Sequence, residues 1–73
     1  MIHVKLFAYL RDGIGKHVDL EYVEGMKIID VVHQLKLDPD RVSLIIINGV
    51  HETLDYVIHP DDNIKLFPPV GGG

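Results

Sequence analysis

Apolar and polar positions alternate from residue 2 to residue 10, with Ile2, Val4, Leu6 and Ala8 on one side and His3, Lys5, Phe7 and Tyr9 on the other. A period of two predicts a strand, here one whose polar face also carries two aromatic rings. Residues 11–16 hold two glycines among polar side chains and read as a turn. Alternation resumes at His17, with Val18, Leu20 and Tyr22 set against His17, Asp19 and Glu21, and predicts a second strand reaching residue 22 or 23. Two strands joined by so short a turn form an antiparallel hairpin.

Glu24 and Gly25 break this pattern, and from Lys27 the apolar spacing becomes helical: Ile28, Val31, Val32, Leu35. Asp30 falls in the first turn, where an acidic group suits the helix dipole. No Ser, Thr, Asp or Asn stands at the cap position, which leaves the helix start open. Asp38-Pro39 is expected to end the helix, because the residue before proline is pushed out of the α region. Leu44 to Ile47 is a continuous, mainly β-branched run, suited to a central strand covered on both faces. Asn48-Gly49 is a strong hairpin signal, since both residues accept positive φ in a type I′ turn. Residues 50–52 would return as a brief strand. Residues 54–60 form a connector with room for one turn of 3₁₀ helix, and residues 61–63 form a turn. Residues 64–67 make the last strand, with Ile64 and Leu66 inward and Lys65 and Phe67 outward.

The predicted order is therefore two strands, one helix, then two or three further strands. A single helix covers one face of a mixed sheet, which is an α+β roll. A hairpin, a helix crossing the sheet and more strands is the order of the β-grasp, or ubiquitin-like, fold. The folded body is expected over residues 1–70, followed by a glycine tail over 71–73.

Composition narrows the choice of function. At 73 residues with 47% hydrophobic content the chain is one small domain with a real core. It has no cysteine, so no disulfide, thiolate metal site or cysteine nucleophile is available. Seven basic residues against eleven acidic ones give a net charge of -4, which disfavours binding to nucleic acid. With no basic-then-apolar leader and no apolar run near about 20 residues, no membrane association and a cytoplasmic location are expected.

The end of the sequence carries the most specific signal. Phe67-Pro68-Pro69-Val70 is a stiff apolar anchor, and Gly71-Gly72-Gly73 follows it directly. A tail without Cβ atoms can enter a narrow tunnel in a partner and present its α-carboxylate; the alternative is an ordinary frayed end. Phe7, Tyr9 and Phe67 fall on the outward sheet face by period, and a contiguous patch there suits docking to a partner. Arg11, at the end of the first strand, suits an acidic partner surface or is an ordinary solvated charge. His3, His17, His33, His51 and His59 show no helical ligand spacing, so no metal site is expected. Gly13-Ile14-Gly15 precedes no helix and is no phosphate loop. Asp61-Asp62 and Asp38-Pro39-Asp40 read as turn and loop chemistry.

Val4-Lys5-Leu6-Phe7-Ala8-Tyr9-Leu10-Arg11, the Ile47-Asn48-Gly49 turn, and the ending Leu66-Phe67-Pro68-Pro69-Val70-Gly71-Gly72-Gly73 resemble the small, sulfur-carrying subunit of molybdopterin synthase. The thiamine-pathway sulfur carrier is similar in fold and shares the terminal Gly-Gly. The Phe-Ala-x-Leu-Arg opening favours the molybdopterin branch.

This resemblance implies that an adenylating enzyme of the ubiquitin-activating type spends ATP to convert the Gly73 carboxylate to an acyl-adenylate. A sulfur donor then leaves a C-terminal thiocarboxylate, which passes its sulfur to a pterin precursor on the large molybdopterin synthase subunit. Gly73 and Gly72 would be the reactive end. Phe7, Tyr9, Arg11, Phe67, Pro68, Pro69, Val70 and Gly71 would bind the partners. The chain itself would hold no cofactor and supply no general base or nucleophilic side chain. Three other readings stay open: the thiamine carrier, a ubiquitin-like modifier joined to lysines through Gly73, and a β-grasp interaction module.

Overall fold

A computed structural model describes residues 1–69 of the chain. Strand β1 (Ile2–Leu6) buries Ile2, Val4 and Leu6, as the alternation predicts. It stops four residues earlier than expected. Ala8 adopts φ 53, a left-handed conformation that no extended strand passes through. The chain coils instead into a 3₁₀ turn, Ala8–Arg11, which carries Leu10 into the core and leaves Ala8 exposed.

Strand β2 (His17–Leu20) pairs antiparallel with β1, Ile2 opposite Leu20 and Lys5 opposite His17. It too is shorter than the alternation suggests, although Tyr22 beyond its end still packs against the core.

Helix α1 (Ile28–Gln34) buries Ile28, Val31 and Val32. Its uncapped start has two physical solutions. The Asp30 carboxylate accepts the Lys27 N–H at 2.8 Å, the reciprocal half of a capping box. Ile28 and Ile29 then donate their N–H groups to the carbonyls of Tyr56 and Leu54, so the connector satisfies donors that the helix leaves free.

The helix ends before the Asp38-Pro39 signal, at a Schellman motif built on Lys36. Lys36 has φ 59 and donates to the His33 carbonyl, while Leu37 donates to the Val32 carbonyl. Asp38 instead caps a separate 3₁₀ turn, Pro39–Arg41, accepting from Asp40 N at 2.9 Å.

Strand β3 (Leu44–Ile47) turns through Asn48 (φ 51) and Gly49 (φ 85), both positive as a type I′ turn requires, into β4 (Val50–Glu52). Residues 54–60 form a strap with a hydrogen-bonded turn from Tyr56 N to Thr53 O rather than a helix. Strand β5 (Asn63–Phe67) runs parallel to β1 and antiparallel to β3. The sheet order is β2-β1-β5-β3-β4, so β5 is central, and with one helix packed on one side the fold is a β-grasp. Strand β3 is accordingly covered on one face only. Ile45 and Ile47 are buried, while Leu44 and Ile46 look outward. Each fully buried Ile or Leu contributes about 1.5–3 kcal/mol, and the core concentrates them between α1 and the inner sheet face.

The start of β5 is fixed by Asp62, a carboxylate only 4% exposed. It accepts hydrogen bonds from Asn48 Nδ2 at 2.8 Å, His59 N at 2.8 Å and the Tyr56 hydroxyl at 3.2 Å. Burial and the neighbouring Asp62 carboxylate raise the Tyr56 pKa above the usual tyrosine value. Turn chemistry, not a catalytic carboxylate pair, is what residues 61 and 62 perform.

Candidate docking face and tail exit

The pleat sends alternate residues of every strand away from α1. On the outward face stand His3 and Lys5 of β1, Lys65 and Phe67 of β5, and Leu44 and Ile46 of β3. Parallel pairing of Leu6 with Leu66 brings the next residues, Phe7 and Phe67, side by side. Their rings stack with centroids 4.2 Å apart and planes 12° apart. Both are half-buried. Leu44 is the Cα partner of Phe67 on the other flank and is 37% exposed. Phe7, Phe67 and Leu44 thus form an apolar row across three strands.

This row lies where β5 leaves the sheet. The Phe67 carbonyl accepts from Ser43 N at 2.8 Å, so pairing holds to the last residue of the strand. Pro68 is buried and Pro69 is exposed, and their fixed φ stiffens the departure. The direction in which the chain leaves the domain is therefore set by the fold. Val70, Gly71, Gly72 and Gly73, the remaining residues expected to act, lie outside the described residues.

Two of the expected contact residues stand elsewhere than the strand pattern put them. Tyr9 sits on the 3₁₀ turn rather than on the sheet, because the strand has already ended, so it does not extend the Phe7 row. Pro68 is buried within the domain, between exposed Pro69 and the end of the strand. Arg11 is exposed, with its Nε donating to the Ala8 carbonyl at 3.3 Å. It shares a depression of about 230 Å³ with Phe7, Lys5, Lys16 and His17, so the apolar row has a basic margin. The sequence reading missed Leu44 as a surface residue. The signal was its parity, one step out of phase with Ile45.

Toward the other end of the face lies a shallow groove of about 520 Å³ whose lining includes His3, Lys5, His17, Ile46 and Lys65. Antiparallel pairing brings His3 and His17, which line it, together with Asp19, although no helical spacing links the histidines. The hydrogen bond from His3, with further help from His17, holds the Asp19 carboxyl below its usual pKa. Among the described residues no helix is long and apolar enough to cross a membrane.

Residues 4–73 match the model of the ThiS family. Among solved structures, the chain is similar to a putative molybdopterin converting factor, subunit 1, from Pyrococcus furiosus: 26% identity, a TM-score of 0.76, and 94% of this chain and 97% of that one covered. Small archaeal modifier protein 1 of Haloferax volcanii aligns at 22% identity and a TM-score of 0.77, over 94% of this chain and 97% of that one. Urm1 of Trypanosoma brucei aligns at 19% identity and a TM-score of 0.70, over 99% of this chain and 94% of that one. The latter two likenesses show the fold alone. No curated protein matches.

Proposed function

The chain belongs to the ThiS family, whose members are ubiquitin-fold sulfur carriers, and on that premise we propose that its Gly73 carboxylate becomes the thiocarboxylate used to build molybdopterin. A carboxylate is a poor acyl donor at neutral pH. The carboxylate oxygen would attack the α-phosphate of ATP on an adenylating enzyme, releasing pyrophosphate and leaving an acyl-adenylate. A sulfur nucleophile from a donor would then add to the acyl carbon, and AMP would leave with its bonding electrons. The resulting thiocarboxylate sulfur would bond to a pterin precursor on the large molybdopterin synthase subunit, and water would cleave the acyl–sulfur bond, leaving the sulfur on the precursor and restoring the Gly73 carboxylate. Tethering the sulfur to a docked domain replaces diffusion of free sulfide with a positioned donor.

The observation that carries this reading is the Phe7–Phe67 stack at the end of the central strand. A partner that covers it is aligned with the direction in which residues 68 and 69 leave the fold. The resemblance at 26% identity to the molybdopterin converting factor subunit supports the molybdopterin branch. In the experiment, the activated chain is offered in parallel to a large molybdopterin synthase subunit and to a thiazole synthase. Tight binding and sulfur transfer are expected with the first. Transfer only to the second would reassign the carrier to the thiamine branch.

A further inference from the structure

Three outward side chains of β1 and β2 take no part in the carrier chemistry. His3 and Asp19 are direct partners across the antiparallel pair, and His17 lies two residues before Asp19 on the same strand. The pleat therefore aims all three to one side. Asp19 Oδ1 stands 2.8 Å from His3 Nδ1 and 3.0 Å from His17 Nε2. One ligand atom from each residue lies within 4.8 Å of the other two. We propose that His3, His17 and Asp19 form a binding site for a divalent transition-metal ion of the zinc class.

The donor set selects the ion. Two imidazoles and one carboxylate suit zinc, copper or nickel, whereas magnesium and calcium prefer an all-oxygen shell. Three protein ligands with an open side also match the arrangement in which water or another ligand completes the coordination. Two of the three donor separations are near what the ion needs, and the third, between the imidazoles, lies within 4.8 Å. Donors around a tetrahedral zinc with bonds of about 2.0–2.1 Å stand about 3.3 Å apart. The two histidine–aspartate gaps would thus open by only a few tenths of an ångström, roughly 0.3–0.5 Å. The side chains are 39%, 52% and 45% exposed for His3, His17 and Asp19, so small rotations meet little resistance.

The surroundings set the strength. Lys5 is the register partner of His17, and Lys65 lines the same groove. Both ammonium groups repel a cation, so the affinity expected is micromolar, about 1–100 µM, rather than that of a structural zinc site. His3 lies four residues from Phe7, about 13 Å along the strand, while His17 also borders the depression beside Phe7. The proposal stands independently of the sulfur-carrier reading.

The test is a titration of the untagged full chain with zinc chloride, followed by calorimetry and by the imidazole nitrogen shifts of each histidine. One equivalent is expected to bind, with coordination shifts at His3 Nδ1 and His17 Nε2 and none at His33 or His59. His17→Gln and Asp19→Asn should each weaken binding at least about tenfold, whereas His33→Gln should not change it. Magnesium chloride should give no heat. The nitrogen shifts require no substitution, so a variant that folds poorly leaves the test intact. Absence of saturable zinc binding up to about 1 mM, or binding that persists unchanged in both variants, would overturn the proposal. In either case the trio would be a hydrogen-bonded surface cluster without a metal.

Discussion

Phe7 and Phe67 stack across the β1–β5 pair, with centroids 4.2 Å apart, and Phe67 is the residue at which the central strand gives way to Pro68. One side chain therefore belongs both to the exposed face and to the anchor of the exit. Phe67→Ala removes half of a stacked pair that is partly buried. A stability loss of about 1–2 kcal/mol is expected from the lost packing. Affinity for the activating enzyme should fall about thirtyfold, as truncating a central interface aromatic does. Leu44→Thr puts a β-branched, strand-favouring residue at an exposed strand position and should cost less than about 1 kcal/mol of stability while still weakening binding. Denaturant melts and partner titrations on both variants separate the effects. Unchanged affinity in both would move the docking surface elsewhere.

Asp62 collects three donors from Asn48, Tyr56 and His59. Asp62→Ala leaves them without their acceptor and should destabilise by about 2–4 kcal/mol, read as a lower denaturation midpoint with an unchanged slope. The raised Tyr56 pKa adds a pH signature. A group that holds its proton more tightly when folded contributes stability fully below its unfolded pKa of about 10 and loses it as pH rises through the folded value. The wild type should therefore lose more stability above about pH 10 than Tyr56→Phe does.

Lys36 occupies the left-handed position of the Schellman motif with φ 59. Glycine takes that conformation without a Cβ clash, so Lys36→Gly should raise stability by about 0.5–1 kcal/mol. A thermal melt reads this directly, and a fall in midpoint would show that the lysine side chain has a stabilising role.

Much of the architecture was legible because the apolar spacing changes from two to helical and back. The inward set Ile2, Val4, Leu6, Val31, Val32, Ile64 and Leu66 follows from period alone, and Asn48-Gly49 announced its own turn. Two of the misread boundaries share a physical cause: non-glycine residues in left-handed conformations. Ala8 ends the first strand and Lys36 ends the helix, and neither residue type signals such a break. The outward apolar row was half legible. Phe7 and Phe67 followed from alternation, whereas Leu44 was hidden in a run of four apolar residues whose parity shows only once a single helix is known to cover one face. The His3, His17 and Asp19 grouping depends on strand register, which a search by helical spacing does not sample.

Gly72→Val places a branched side chain in a segment proposed to thread a narrow activating site. ATP–pyrophosphate exchange should fall to background, while the melting midpoint stays within about 1 °C because the core is assembled by the described residues. Normal exchange with the valine variant would contradict a threaded tail.

The central claim is that Gly73 carries sulfur, and the intact mass of the chain purified from its native host tests it most directly. A species heavier by about 16 Da, the replacement of one terminal oxygen by sulfur, is predicted, with the added mass located on the C-terminal glycine by fragmentation. A population carrying only the unmodified carboxylate, isolated while the activating enzyme and a sulfur source are present, would contradict the account.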